Sequence, residues 1–229
     1  MARTTPWKDE YTLLCEKCGY IIERLDAAGP CPECGTPIAE SLPERRVGTP
    51  WQQEPGVKSL VRTWWMTLRH PMKTLDVMRF DSNRDTSLAT WTCSTGLIIL
   101  PIFACFTWIE SQGLQLFGKR KGARIHPTIS WAIVSHGAVG WLIIVLAAFP
   151  TWILLEYAVS ASLEYYPYAI EGSPQDYSPD KADLLFTITA ITGGIGLITG
   201  FLFFEFFAYL GLRRCKYANR NRPQEQTDG

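Results

Sequence analysis

The sequence predicts two unlike parts: a small amino-terminal ribbon built of β-knuckles, and behind it an all-α bundle of transmembrane helices. Four cysteines stand as two Cys-x-x-Cys-Gly pairs, Cys15 and Cys18 before Gly19, then Cys31 and Cys34 before Gly35. Each glycine sits where the chain must turn sharply to aim its amides at sulfur, which calls for a residue that tolerates positive φ. From Leu88 onward, long runs carry no charge, as lipid-facing helices require.

The ribbon is predicted over residues 1–38. Two thiolates, twelve residues of chain and two more thiolates bring four sulfurs to a tetrahedron around zinc. Pro32 fixes the second turn. Cys15, Cys18, Cys31 and Cys34 are therefore the expected metal ligands, and four thiolates leave no open position for water, so the Zn2+ is expected to be structural. Disulfides are the alternative, disfavoured because the first 14 residues are polar and carry no export signal. Cys93, Cys105 and Cys215 have no partner at ligand spacing and read as small apolar side chains within helices.

Lys plus Arg equal Asp plus Glu at 22 each, so no bulk charge favours nucleic acid. Residues 39–56 mix proline, glycine and charge without periodicity and are expected to be a linker that leaves the ribbon tethered. The region 57–87 follows as an amphipathic juxtamembrane segment. Val57, Leu60, Val61, Trp64, Trp65 and Leu68 recur at helical spacing, with Lys58, Arg62 and Arg69 on other faces, the composition of a helix lying at a membrane surface. His70-Pro71 ends it.

Residues 88–212 are expected to form the transmembrane domain, with three membrane segments, or four if the second divides at Pro150. The first, Leu88–Ile109, holds 22 uncharged residues, about 33 Å as a helix against a hydrocarbon core of about 30 Å. The second runs from Thr128 to Leu155, and the third from Leu184 to Leu212, broken only by Glu205. Residues 213–229 form a basic polar tail. Basic residues at 119–124 and 213–222, set against acidic residues between the second and third runs, favour a cytoplasmic first loop and tail. Three crossings with a cytoplasmic ribbon conflict with that; the conflict resolves if the first run, interrupted by Gly96 and Pro101, is a re-entrant hairpin, and partly resolves if the second run crosses twice. The expected location is an inner membrane, with the ribbon in the cytoplasm.

Several motifs carry a resemblance. Arg46-Val-Gly-Thr-Pro-Trp-Gln52, Trp64-Trp-x-Thr-Leu-Arg-His-Pro71, Trp108-Ile-Glu-x-x-Gly113, Phe117-Gly118, His136-Gly-Ala-Val-Gly-Trp141, Phe204-Glu205 and Arg213-Arg-Cys-Lys-Tyr-Ala-Asn219 resemble uncharacterised bacterial zinc-ribbon membrane proteins. Their membrane part is distantly similar to the Yip1-type helical bundle. The knuckles also look like those of rubredoxin, but the short insert between them resembles zinc ribbons, which leaves iron and electron transfer as a minor reading. The resemblance implies architecture and no activity.

No catalytic motif is present: no His-Glu-x-x-His, no Gly-x-Ser-x-Gly and no phosphate-cradling loop. The protein is therefore not expected to be an enzyme. The expected role is a membrane-anchored binding or scaffolding module whose ribbon meets a partner protein, with nucleic acid less favoured and the lipid bilayer as the other partner. The alternative is a transporter or channel-like bundle in which His136 and Glu205, ionisable groups within apolar runs, form an intramembrane polar site.

Overall fold

The structure is a computed structural model describing residues 9–80, 82–94, 100–171 and 179–220. Helices dominate it: α1 Pro50–Gln53, α2 Val57–Arg69, α3 Pro71–Val77, α4 Ser82–Ser94, α5 Leu100–Arg120, α6 Pro127–Gly137, α7 Val139–Glu171 and α8 Pro179–Arg214. The chain falls into two compact units, residues 1–139 with 204–229, and residues 140–203.

The ribbon of β-knuckles is not formed. Among the described residues there is no strand, only two isolated antiparallel bridges, Leu14 with Ile21 and Pro30 with Pro37. The sequence shows why no ladder grows from the second of them. Pro30, Pro32 and Pro37 offer no amide to a ladder, and beyond the second bridge the chain winds into 3-10 turns at Ile38–Ser41 and Pro43–Arg45.

Residues 39–56, expected to be a linker, are packed instead. Arg46, Thr49 and Gln52 are all buried. The Arg46 guanidinium pairs with Glu16 at 2.8 Å and donates to the Leu75 carbonyl at 2.8 Å, where it neutralises the carboxyl end of α3. Gly48, at φ 90, donates to Val77 O at 2.7 Å. Pro50 opens α1, and the Gln52 carboxamide accepts from Thr49 N at 3.0 Å, closing a capping box. The proline, glycine and charge that read as flexible are here turn-formers and a neutralised ion pair.

In the first unit the buried helix faces mix apolar and polar side chains, and α5 also carries apolar side chains outward. Trp51 Nε1 donates to Ser87 Oγ, Trp64 Nε1 to Thr92 Oγ1, and Ser111 meets Ser130 at 3.0 Å between α5 and α6. Thr63, Thr67, Thr92, Thr107 and Ser135 are buried. Ile102, Phe106, Trp108, Ile109 and Phe117 of α5 are exposed. Apolar side chains fill the interior around these polar contacts, among them Leu75, Met78, Ile129, Ile133 and Val134, and Trp51, Leu60 and Leu88 pack together with Trp64 beside them.

The described residues of the first apolar run lie in two helices, α4, which ends at Ser94, and α5, which starts at Leu100, and both helices pack on α6. Gly96 lies outside the described residues. Two helical stretches are long and apolar enough to cross a membrane, Pro127–Ser160 and Asp183–Arg214. Among the described residues these are the two that reach that length, and α7 runs unbroken through Pro150. The side chains of the acidic stretch 164–182, and of Cys93, are not described.

In the second unit, α7 and α8 meet through small residues. A Cβ at Gly196 would run into Ala147, one at Gly193 would come within 3.1 Å of Thr151, and Gly200 faces Ile144 and the Gly140 carbonyl. This is the close helix approach that a Gly-x-x-x-Gly spacing permits.

Candidate metal centre

Two copies of one local conformation build the site. In the first, Cys15 N donates to Tyr20 O at 2.8 Å and Gly19 N to Cys15 O at 2.8 Å; in the second, Cys31 N donates to Thr36 O at 2.8 Å and Gly35 N to Cys31 O at 2.9 Å. Gly19 and Gly35 have φ of 83 and 70, a region L side chains rarely adopt. The glycines thus do what their place in each pair requires.

The four sulfurs lie within 4.8 Å of one another and could hold a metal ion. Cys15 Sγ is 3.5 Å from Cys34 Sγ, and Cys18 Sγ is 3.7 Å from Cys31 Sγ. A tetrahedron with metal–sulfur bonds of about 2.3 Å has edges of about 3.8 Å, so these cross-pair separations suit a shared ion. They are far longer than the disulfide bond of about 2.05 Å. Cys15 and Cys31 are buried on a small core with Ile22 and Ile38, while Cys18 and Cys34 are half-buried.

The thiols differ electrostatically. Burial pushes Cys18 up to about 12, whereas hydrogen bonding from the Thr36 hydroxyl and amide brings Cys34 down to about 6. A bound cation overrides both and takes all four sulfurs as thiolates, so binding releases protons.

The surroundings of the two knuckles differ more than their backbones. The Asn219 side chain accepts from Leu14 N at 3.0 Å and donates to Leu14 O at 2.7 Å and Ser41 O at 2.6 Å. Arg124 donates to Thr12 O, to Ala218 O at 3.1 Å and to Asn219 Oδ1 at 2.7 Å. Burial lowers the Arg124 guanidinium to about 10, which leaves it charged at neutral pH. Glu16 holds Arg45 and Arg46, and the Tyr217 ring lies against Gly19. His126 completes the collar. Its Nδ1 accepts from Arg220 at 2.9 Å and from Thr128 N, so Nε2 carries the proton toward Glu10 at 2.5 Å, and burial lowers its pKa. Among the described residues the second knuckle has no such collar: none lies within 4 Å of a Cβ placed on Gly35, and Pro32, Glu33 and Pro37 are exposed.

The sequence reading missed this clamp. Its signal was present in Arg213-Arg-Cys-Lys-Tyr-Ala-Asn219 and in Arg124, which were read only as a pattern and as a topology signal.

His136 and Glu205 have different surroundings. His136 is buried on α6, with Nδ1 donating to Ala132 O at 2.9 Å and Nε2 accepting from Thr49 Oγ1 at 3.1 Å. Glu205 is half-buried on α8, and among the described residues no hydrogen bond joins it to His136. Cys215 is fully buried and Cys105 exposed.

Comparison with family models, curated proteins and solved structures finds no match. What stands behind the resemblance is a four-cysteine cluster and two apolar helices, and no family is shown.

Proposed function

We propose that the protein is a membrane-anchored binding module in which Cys15, Cys18, Cys31 and Cys34 hold one structural zinc ion. The turn at residues 15–19 fastens the module to its own helices, while the exposed residues of the stretch 20–25 and the second knuckle are free to meet a partner protein. The carrying observation is that asymmetry: one knuckle is collared by Asn219, Arg124 and Tyr217, and the other faces outward. Four thiolates give the ion no position for water, so it serves structure and not catalysis.

The outward surface favours protein over nucleic acid. Tyr20, Ile21 and Leu25 are exposed between the knuckles, among charges of both signs, Lys17, Glu23, Arg24, Asp26 and Glu33. An apolar patch without a concentration of basic charge is the wrong surface for phosphate.

Membrane anchoring rests on the two long apolar helices together with the exposed apolar face of α5, where Ile102, Phe106, Trp108, Ile109 and Phe117 point away from the buried Thr107 and Ser111. Two crossings put the knuckles, the basic loop at 119–124 and the basic tail on one side, which positive-inside bias makes the cytoplasm of a bacterial inner membrane. The conflict that three crossings created is then gone.

The test is co-purification of the full chain against an Ile21→Ser, Leu25→Ser variant expressed to the same level. The variant should keep its metal and lose a specific partner. An unchanged partner list with metal retained overturns the binding role of this surface.

A further inference from the structure

Helix α2 turns one face inward and leaves another unpartnered. Leu60, Thr63 and Thr67 are buried, and the helix packs on α1, α3 and α6. Val57, Val61 and Trp65, at successive turns, are 81%, 53% and 61% exposed. At about 100° per residue, Lys58, Arg62 and Arg69 fall in a second stripe directly beside them. All three basic residues are exposed, and the Arg69 guanidinium lies 5.6 Å from the Trp65 ring centre, over its face. Residues 57–75 contain no acidic side chain.

We propose that this face of α2 binds anionic phospholipid headgroups, with Val57, Val61 and Trp65 entering the boundary between headgroup and acyl chain and Lys58, Arg62 and Arg69 taking the phosphates. Charge complementarity selects the occupant. A basic stripe flanking an apolar one, with an indole between them, is the arrangement an interfacial helix uses on a negatively charged bilayer. A protein partner would need a concentrated acidic surface to match, and the molecule already has lipid-soluble helices that bring a bilayer within reach of the chain. The inference rests on the membrane reading above, which supplies that bilayer.

The test is hydroxyl-radical footprinting of the full chain in nanodiscs of phosphatidylcholine alone and of phosphatidylcholine with phosphatidylglycerol. Oxidation of Trp65 should fall about fivefold in the anionic bilayer relative to the neutral one, the loss expected when an indole passes from water to the interface. Lys58→Gln, Arg62→Gln, Arg69→Gln should abolish the difference. Equal Trp65 reactivity in both bilayers overturns the headgroup assignment, as does protection that survives loss of the three charges. Trp108 on α5 separates the two claims: if it is shielded in both bilayers while Trp65 stays reactive, the headgroup site fails and the membrane reading stands; if it too is oxidised freely, the membrane reading fails.

Discussion

The two knuckles have the same backbone and opposite surroundings. Each closes with the same pair of hydrogen bonds, the same positive-φ glycine and the same single bridge. One then meets a buried asparagine, a buried arginine and an aromatic ring from distant parts of the chain, and the other meets none of these. The spacing of cysteines therefore sets the conformation of a knuckle, while residues some 100 to 200 positions away decide whether it is an anchor or a free surface.

That difference can be broken most severely at the ion both knuckles share. Cys15→Ser, or chelation, should unfold residues 9–41 altogether, since structural zinc supplies on the order of 10 kcal/mol to so small a unit. Hydrogen exchange should then be fast in both knuckles, and the metal content should fall to zero. Retained protection in either knuckle would mean that its fold does not depend on the ion.

The next largest effect separates the knuckles. Asn219→Ala leaves an amide and two carbonyls in the interior without their partner, a loss of about 2–4 kcal/mol. Thr36→Val on the outward knuckle should cost under about 1 kcal/mol, because the hydroxyl it removes is near solvent. Thermal unfolding in detergent checks both, and equal losses would erase the proposed asymmetry.

Gly19→Ala and Gly35→Ala sharpen the same contrast. Both demand a left-handed conformation of a residue with a Cβ, at about 1–2 kcal/mol each. Only at Gly19 would the new methyl meet a ring, 2.8 Å from Tyr217. Gly19→Ala should therefore be the more damaging, and Tyr217→Ala should bring the two glycine substitutions level.

The last effect is confined to alkaline pH and does not act at neutrality. Burial raises the Cys215 thiol from 9.0 to about 12, so the folded state holds its proton more tightly than the unfolded chain does. Its contribution is complete below pH 9 and is lost as pH rises toward 12, at about 1.4 kcal/mol per pH unit. Cys215→Ala should flatten that part of the stability profile measured by denaturant titration, and an unchanged slope would place the alkaline sensitivity elsewhere.

Much of the metal centre was legible in the sequence, because cysteine spacing and the following glycine are local requirements. The β-ribbon was not, because three prolines keep the second bridge from growing, and that effect depends on where each proline falls in a ladder. The linker reading failed at Arg46, whose charge signals exposure until Glu16, thirty residues back, neutralises it. The first apolar run was read through composition alone: α4 and α5 carry Thr92, Thr107 and Ser111 on their inner faces, and the packing of both on α6 is not written in that composition. His136 reads as an unpaired ionisable group until Thr49, 87 positions upstream, is placed against its Nε2.

X-ray absorption at the zinc edge on the full-length protein tests the centre of this account most directly. One zinc per chain with four sulfur neighbours at about 2.3 Å is the predicted result. A chain purified without metal, or one whose ion has oxygen among its nearest neighbours, would contradict a closed site built from Cys15, Cys18, Cys31 and Cys34.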